Sequence, residues 1–250
     1  MTILVTGGTG TLGTPTVQLL RASGHDVRIL SRSAGGDLTT GTGLASALEG
    51  VDTVLHLATS ASRKDVRQTQ NLVDACRAAD VGHLVYISIV GVDTVPYSYY
   101  GAKRDSEALI ENSGIPFTIL RATQFHEFIR RFLDLQRRLP VILSLDVPDQ
   151  PIAAEEVAER LVELVGAGPS GRVPDIGGPE QLRLREAIDI WQRAAGTRKP
   201  VWTVRPPLKF LAAMRAGEHM TPMPGFGRET FASFAEREAG QHSAERTARG

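Results

Sequence analysis

The chain has 250 residues, with 28 basic and 28 acidic side chains and a formal net charge of zero. The length allows a large core in one or two domains, and the charge balance argues against general affinity for nucleic acid or an anionic membrane. The single cysteine, Cys76, excludes an intramolecular disulfide or a thiolate metal cluster. The opening "MTILVTGG" runs into a strand without a basic leader, and no run approaches the ~20 apolar residues that cross a bilayer. A cytoplasmic protein with no nucleic-acid or membrane partner is expected, and the lone cysteine suits a reducing compartment.

In chain order, "TILVT", "DVRIL", "VDTVLHLA", "HLVYISIV" and "PFTILRA" read as buried strands rich in Val, Ile and Leu. Between them "TPTVQLLRASG", "LASALEG", "DVRQTQNLVDACRAAD" and "GAKRDSEALIENSG" read as helices. Gly24, Gly50 and Gly114 stand where left-handed C-terminal caps belong. This alternation predicts an α/β fold whose parallel sheet is covered by helices on both faces. Cys76 falls on the apolar side of its helix with Leu72 and Ala79 and reads as a small core residue.

After Arg121 the rhythm changes. "ATQFHEFIRRFLDLQRR" predicts an amphipathic helix with Phe125, Phe128, Ile129, Phe132 and Leu133 on one side. Its basic clusters read as solvated surface. "AAEEVAERLVELVG" is a second helix, with Glu155 and Glu156 serving the helix dipole and solvent at its start. Proline- and glycine-rich connections and "LREAIDIWQRAAG" follow. The expected organisation is a dinucleotide-binding core over 1–122, then a mixed region over 123–240 holding a smaller, irregular substrate lobe and elements that return to the core. Residues 241–250 are expected to form a flexible tail.

The strongest local signal is "ILVTGGTGTLG". Gly7, Gly10, Thr11, Leu12 and Gly13 follow a strand and open a helix. The first glycine allows a tight turn, the second lets a pyrophosphate approach the backbone, and the third lets helix and strand pack closely. The phosphates then meet the N–H groups of the helix N-terminus. At the end of "DVRIL", where an acid would select NAD, stand Ser31 and Arg32. A guanidinium fork suits a 2′-phosphate, so NADP is the expected cofactor and NAD the alternative. The competing reading of Arg32 is a cation exposed at a strand end.

In "PYSYYGAKRDSEAL", Tyr99 and Lys103 lie one helical turn apart on one face. Spacing alone leaves two readings, an active-site pair or two residues of a helix surface. Tyr97 and Tyr100 are expected to line a pocket or pack. The six histidines show no metal-ligand spacing, and no metal is expected. His56, in an apolar strand, reads as a satisfied core residue. His126 and Glu127 read as helix surface, with substrate binding as the other option.

The ordered set "TGGTGTLG", "GDL" (36–38), "VDTVLHLAT" (51–59), "VYISIVGVD" (85–93), the Tyr99–Lys103 pair and "ILRATQFHEF" (119–128) resembles the short-chain dehydrogenase/reductases. It is most similar to their atypical, NmrA-like NAD(P)-binding branch. The resemblance covers most of the chain, including "PDIGGPEQLRLREA" and "GRETFASF". It implies a Rossmann-type, doubly wound parallel sheet. It also implies residue roles. Asp37 and Leu38 would border the adenine, while Leu57, Ala58 and Thr59 would contact the adenosine side and ribose. Ile87 is counted with the cofactor contacts, and Ser88 would lie beside the nicotinamide as a catalytic candidate. Tyr99 would donate the proton, and Lys103 would hydrogen-bond the nicotinamide ribose. Ala122, Thr123, Gln124 and Phe125 would flank the nicotinamide. Two departures stand out: the segment between Arg32 and Asp37 is too short for the family's usual third strand, and Ser88 is followed by Ile89 where the family often has a second serine.

With that context, the ammonium of Lys103 is expected to lower the pKa of the Tyr99 phenol toward the working range. The leading function is an NAD(P)H-dependent oxidoreductase that reduces a carbonyl or quinone of a small apolar or aromatic molecule. The alternative is a non-catalytic NAD(P)-sensing regulator of the NmrA type. Isomerase or dehydratase chemistry on the same fold is a third reading. A homodimer is the expected assembly.

Overall fold

The computed structural model describes the backbone of residues 1–248 and the side chains of residues 1–240. The chain divides into two compact units, Met1–Ala122 with Ala154–Asp175, and Thr123–Ala153 with the residues from Ile176 onward.

The first unit contains β1 (Thr2–Thr6), α1 (Gly13–Ala22), β2 (Asp26–Leu30), α2 (Leu44–Leu48), β3 (Thr53–His56), α3 (Lys64–Ala78), β4 (His83–Ile89), α4 (Ser98–Glu111) and β5 (Phe117–Ala122). Its six-stranded sheet has the order β2-β1-β3-β4-β5-β8, every pair parallel, where β8 is the short strand Gly171–Arg172. Chain order reverses between β1 and β3, the switch point at which doubly wound sheets bind ligands. Between β2 and β3 the chain makes a single 3-10 turn at Arg32–Ala34, a bridge between Asp37 and Thr42, and α2. β2 is therefore the sheet's edge, as the short spacing after Arg32 implied.

Strand alternation sorts the side chains. Leu4, Val54, Leu84, Tyr86 and Ile119 share a cluster with Leu44 and Leu48 of α2, Leu72 and Cys76 of α3, and Ile110 of α4. The opposite face packs α1 and α6 (Ala154–Ala167), the helix that returns to this unit. Gly24, Gly50 and Gly114 adopt φ of +80°, +65° and +77°, the left-handed conformation that ends a helix,.

The second unit contains α5 (His126–Leu135), β6 (Ile142–Leu145), β7 (Pro148–Asp149), β9 (Leu182–Arg183), α7 (Leu184–Ala194), β10 (Val201–Val204), α8 (Lys209–Arg215) and α9 (Phe231–Ala248). β6 pairs with β10 in parallel and β7 with β9 antiparallel. Ile129, Leu133, Ile188, Leu211, Phe231 and Phe234 form its core. The tail expected at 241–250 falls where side chains lie outside the described residues, although the backbone of α9 continues through Ala248.

Three surface expectations are corrected. His126 is fully buried, stacked on Phe234 with ring centroids 5.0 Å apart, because α9 supplies an aromatic wall that periodicity on α5 could not reveal. Phe128, expected on the apolar side, is 54% exposed, since the helix turns Ile129 and Leu133 inward instead. Glu156 is buried, whereas Glu155 is exposed at the same helix start. Among the described residues no helix is long and apolar enough to cross a membrane, and no cluster of three or more His, Cys, Asp or Glu could hold a metal.

Candidate active site

The turn after β1 leaves no room for side chains. Gly7 has φ +72°, and a Cβ there would lie 2.7 Å from the Ala58 nitrogen; at Gly13 a Cβ would stand 2.1 Å from the Gly7 carbonyl oxygen. The Gly10 N–H donates to that same carbonyl at 3.0 Å and closes the turn. α1 then begins at Gly13, with Leu12 at the N-cap and no side-chain cap, while Gly10 and Thr11 are exposed. The first N–H groups of a helix have no carbonyl of their own to bond. A tight turn ending in an uncapped helix N-terminus fits a pyrophosphate.

At the end of β2, the Ser31 hydroxyl lies 3.0 Å from that of Ser33. Arg32 is exposed and makes no ion pair among the described residues. Asp37 is occupied locally: its carboxylate accepts the Thr39 N–H at 2.6 Å. Leu38 is buried in the core, and the Asn71 amide donates to its carbonyl at 2.8 Å. Leu57 is buried, with its N–H donating to the Thr6 carbonyl. The Ala58 N–H donates to the Thr6 hydroxyl at 3.3 Å, so the exit of β3 is tied to the start of the glycine turn.

Thr59 connects this exit to α4. Its hydroxyl donates to Asp65 Oδ2 at 2.5 Å and stands 3.3 Å from the Tyr99 hydroxyl. Asp65, buried at the start of α3, also accepts the Ser60 N–H at 2.6 Å and the Ser60 hydroxyl at 2.5 Å. Burial, the largest influence, pushes the Tyr99 phenol above its ordinary value; a hydrogen bond donated by Thr59 acts in the opposite direction, and the Asp65 carboxylate pushes the phenol up. The lowering expected from Lys103 is corrected: its ammonium is not among the groups that shift the phenol, and removal from water dominates,.

Lys103 lies one turn further along α4. It is buried, donates to the Ile87 carbonyl at 3.1 Å, and stands 4.8 Å from the Tyr86 ring centroid. Burial pulls its ammonium down to about 8, while the carboxylates of Asp65 and Glu107 act in the opposite direction. Ser88 is buried at the same end of β4, and its hydroxyl has no partner among the described residues. It stands in register with Arg121 of β5, whose guanidinium grips Glu107 of α4 through two bonds and Asp93 through two more. Tyr100 packs edge-on against both Tyr97 and Tyr99, and Tyr97 is exposed.

His56 sits behind these groups with both ring nitrogens engaged, at 2.7 Å from the Thr6 hydroxyl and 3.2 Å from that of Thr69. Thr69 passes a bond to Ser106, which bonds Tyr86. Burial, helped by Lys103, lowers His56 to about 3 and keeps it neutral. Ala122 is buried, and its carbonyl accepts the Val90 N–H. Thr123, Gln124 and Phe125 open the second unit, where the Thr123 hydroxyl donates to the Gln150 carbonyl at 2.6 Å and the Gln124 carbonyl accepts the Ile152 N–H at 2.9 Å. Asp65 escaped the sequence reading. Its only local signal is an acid in the first turn of a helix, a placement that ordinarily serves the dipole.

Residues 34–166 match the model of a family described as NAD(P)H-binding. The chain belongs to this NAD(P)H-binding family. The resemblance to the atypical short-chain dehydrogenase/reductases therefore holds. A relative from Streptomyces griseus subsp. griseus, (4-alkanoyl-5-oxo-2,5-dihydrofuran-3-yl)methyl phosphate reductase, is 29% identical over 213 residues, covering 78% of this chain and 74% of its own. Quinone oxidoreductase 2 of Escherichia coli is 28% identical over 141 residues, 50% of this chain and 49% of that protein. The fold is similar to the crystal structure of an NADPH-dependent quinone oxidoreductase from Escherichia coli complexed with NADPH, at a TM-score of 0.75 and 21% identity over 94% of this chain and 99% of that one.

Proposed function

We propose that this NAD(P)H-binding protein is a reductase with NADP as its preferred cofactor, acting on a carbonyl or quinone group of a small apolar or aromatic molecule. One observation carries the reading. The Tyr99 hydroxyl meets Thr59 at the exit of β3, in the unit that also holds the Gly7–Gly13 turn, with Lys103 one helical turn away. The reductase names of the two sequence relatives support it.

When bound, the reduced nicotinamide supplies the hydride. Tyr99 donates its phenolic proton to the substrate oxygen, and the raised affinity of the phenol for its proton keeps it loaded at neutral pH. An ammonium has three donors; Lys103 uses one on the Ile87 carbonyl and offers the others to a ribose hydroxyl. The unpartnered Ser88 hydroxyl is the candidate second donor to the substrate oxygen. Gly7, Gly10, Thr11, Leu12 and Gly13 hold the pyrophosphate, and Ser31 and Arg32 the 2′-phosphate. Asp37, Leu38, Leu57, Ala58, Ile87, Ala122, Thr123, Gln124 and Phe125 remain cofactor candidates by resemblance alone. We assign the protein to the cytoplasm on its lone, buried thiol, and light scattering tests the expected homodimer.

Oxidation of NADPH and NADH is followed at saturating quinone, ketone and aldehyde acceptors. The expected result is turnover with at least one class, faster with NADPH. Tight cofactor binding without turnover of any acceptor would overturn the reductase reading in favour of the cofactor-sensing regulator.

A further inference from the structure

The hydroxyl of Thr59 has one hydrogen and two neighbours that could take it. Asp65 Oδ2 lies at 2.5 Å and the Tyr99 oxygen at 3.3 Å. The shorter contact goes to a carboxylate, which can only accept. The hydrogen therefore belongs to Asp65, and the Thr59 oxygen is left as an acceptor toward Tyr99. A second donor, the Ala61 N–H, reaches the same oxygen at 3.0 Å and holds the hydroxyl in this orientation. The Asp65 carboxylate is in turn fixed by Ser60, through both its N–H and its hydroxyl.

We propose that Asp65 is a positioning residue for proton donation: by holding the Thr59 hydrogen it makes Thr59 an acceptor and keeps Tyr99 in its proton-loaded phenol form. The inference rests on the reading of Tyr99 as the proton donor. A phenol whose neighbour accepts is favoured over a phenolate, which needs a donor. Once Tyr99 has given its proton to the substrate oxygen, the phenolate and Asp65 compete for the single Thr59 hydrogen. That competition favours reloading Tyr99 from solvent and biases the site toward reduction. Burial of the phenol and the Asp65 charge both act in this direction; a hydrogen bond donated by Thr59 would act against it, and with the Thr59 hydrogen held on Asp65 that donation is not made. The other titratable neighbours of Tyr99 are Tyr86 on β4, and Tyr100 and Lys103 on α4.

In Asp65→Asn, the amide keeps an acceptor for Ser60 and turns a donor toward Thr59. The Thr59 hydrogen is then released to Tyr99. The test uses the full chain with tyrosine labelled with carbon-13 at Cζ, titrated with and without saturating NADP⁺, and Tyr99 is assigned by its loss in Tyr99→Phe. Tyr99 should ionise roughly one pH unit lower in Asp65→Asn, while Thr59→Ser, which keeps the hydroxyl, should titrate as the parent does. An unmoved Tyr99 titration in folded Asp65→Asn would overturn the proposal, leaving Asp65 as a tie for its own loop. Should that variant fail to fold, Thr59→Val carries the same test: loss of the acceptor lowers the Tyr99 titration, and an unmoved titration overturns the idea. The signal comes from the tyrosine without substrate, so absence of turnover with every acceptor would refute the reductase reading while leaving this result intact.

Discussion

The two units favour different polar contacts, although Lys103 and Asn71 of the sheet unit also bond backbone carbonyls. In the sheet unit, side chain answers side chain: Arg121 grips Glu107, Thr59 meets Asp65, and His56 lies between Thr6 and Thr69. In the second unit, side chain answers backbone. At the surface the Gln136 amide takes both the N–H and the carbonyl of Leu143, and the partly buried Gln192 amide does the same for Lys199. Gln150 binds the Gly178 carbonyl and the Thr221 N–H. A primary amide carries both donor and acceptor, so it can replace a missing peptide partner. Parallel strands and helices pair their own backbones and leave side chains at repeating positions that face one another. Irregular loops leave backbone groups open, and buried ones must be satisfied. The regular unit can therefore spend its polar side chains on chemistry, whereas the irregular one uses them to hold its shape.

The largest expected effect tests whether the polar pairs of the sheet unit are functional. Tyr99→Phe keeps the ring and removes the acid, so turnover should drop by about 10²–10⁴ with cofactor affinity nearly unchanged. Lys103→Met should lower both, because one side chain serves both tasks. Full activity in Tyr99→Phe would leave Tyr99 and Lys103 as packing residues of α4 and erase the functional side of the contrast.

The next pair compares stranded charge with stranded dipoles. Arg121→Met leaves the buried Glu107 carboxylate with only the longer contact to Arg104, at 3.6 Å, and should cost about 3–5 kcal/mol in denaturant unfolding,. Gln150→Met strands neutral backbone groups and should cost about 1–3 kcal/mol. Equal losses would break the distinction between the two units.

One buried group in each unit, His56 and Asp149, should respond to pH with opposite sign. His56 is neutral when folded down to about 3, so the unfolded chain binds the extra proton below its ordinary 6.5 and stability falls by several kcal/mol as pH drops through that window. His56→Gln should flatten this acid limb. Asp149 is buried in the second unit and raised to about 6 by that burial, against the pull of the Gln150 N–H. Its folded form keeps the proton longer, so stability falls as pH rises from the ordinary carboxylate range through about 6. Asp149→Asn should remove that loss and be the more stable protein at pH 7. Chemical denaturation from acid to neutral pH measures both.

The smallest effect concerns cofactor choice. Arg32→Asp should reverse a preference for NADPH over NADH set by ~1.5–3 kcal/mol, roughly ten- to a hundredfold in affinity. Equal affinities in the parent protein, by titration of both cofactors, would leave Arg32 as a surface residue.

The features legible before folding are those with a local physical signature. Strand–helix alternation follows from the spacing of apolar residues. The turn at Gly7–Gly13 needs glycines wherever it is built, because a Cβ at Gly13 would collide with the Gly7 carbonyl. Tyr99 and Lys103 share a helix face because four residues make about one turn. What the sequence could not reveal is which distant groups meet. His126 reads as surface on α5 until α9, more than a hundred residues later, brings Phe231 and Phe234 against it. Asp65 reads as a helix-dipole acid until the exit of β3 brings Thr59 beneath Tyr99. Local periodicity determined the scaffold and the cofactor turn. Tertiary structure alone decided the partners of the buried charges, because the pairing energy of a polar group depends on what lies across space from it and on how much water has been excluded between them.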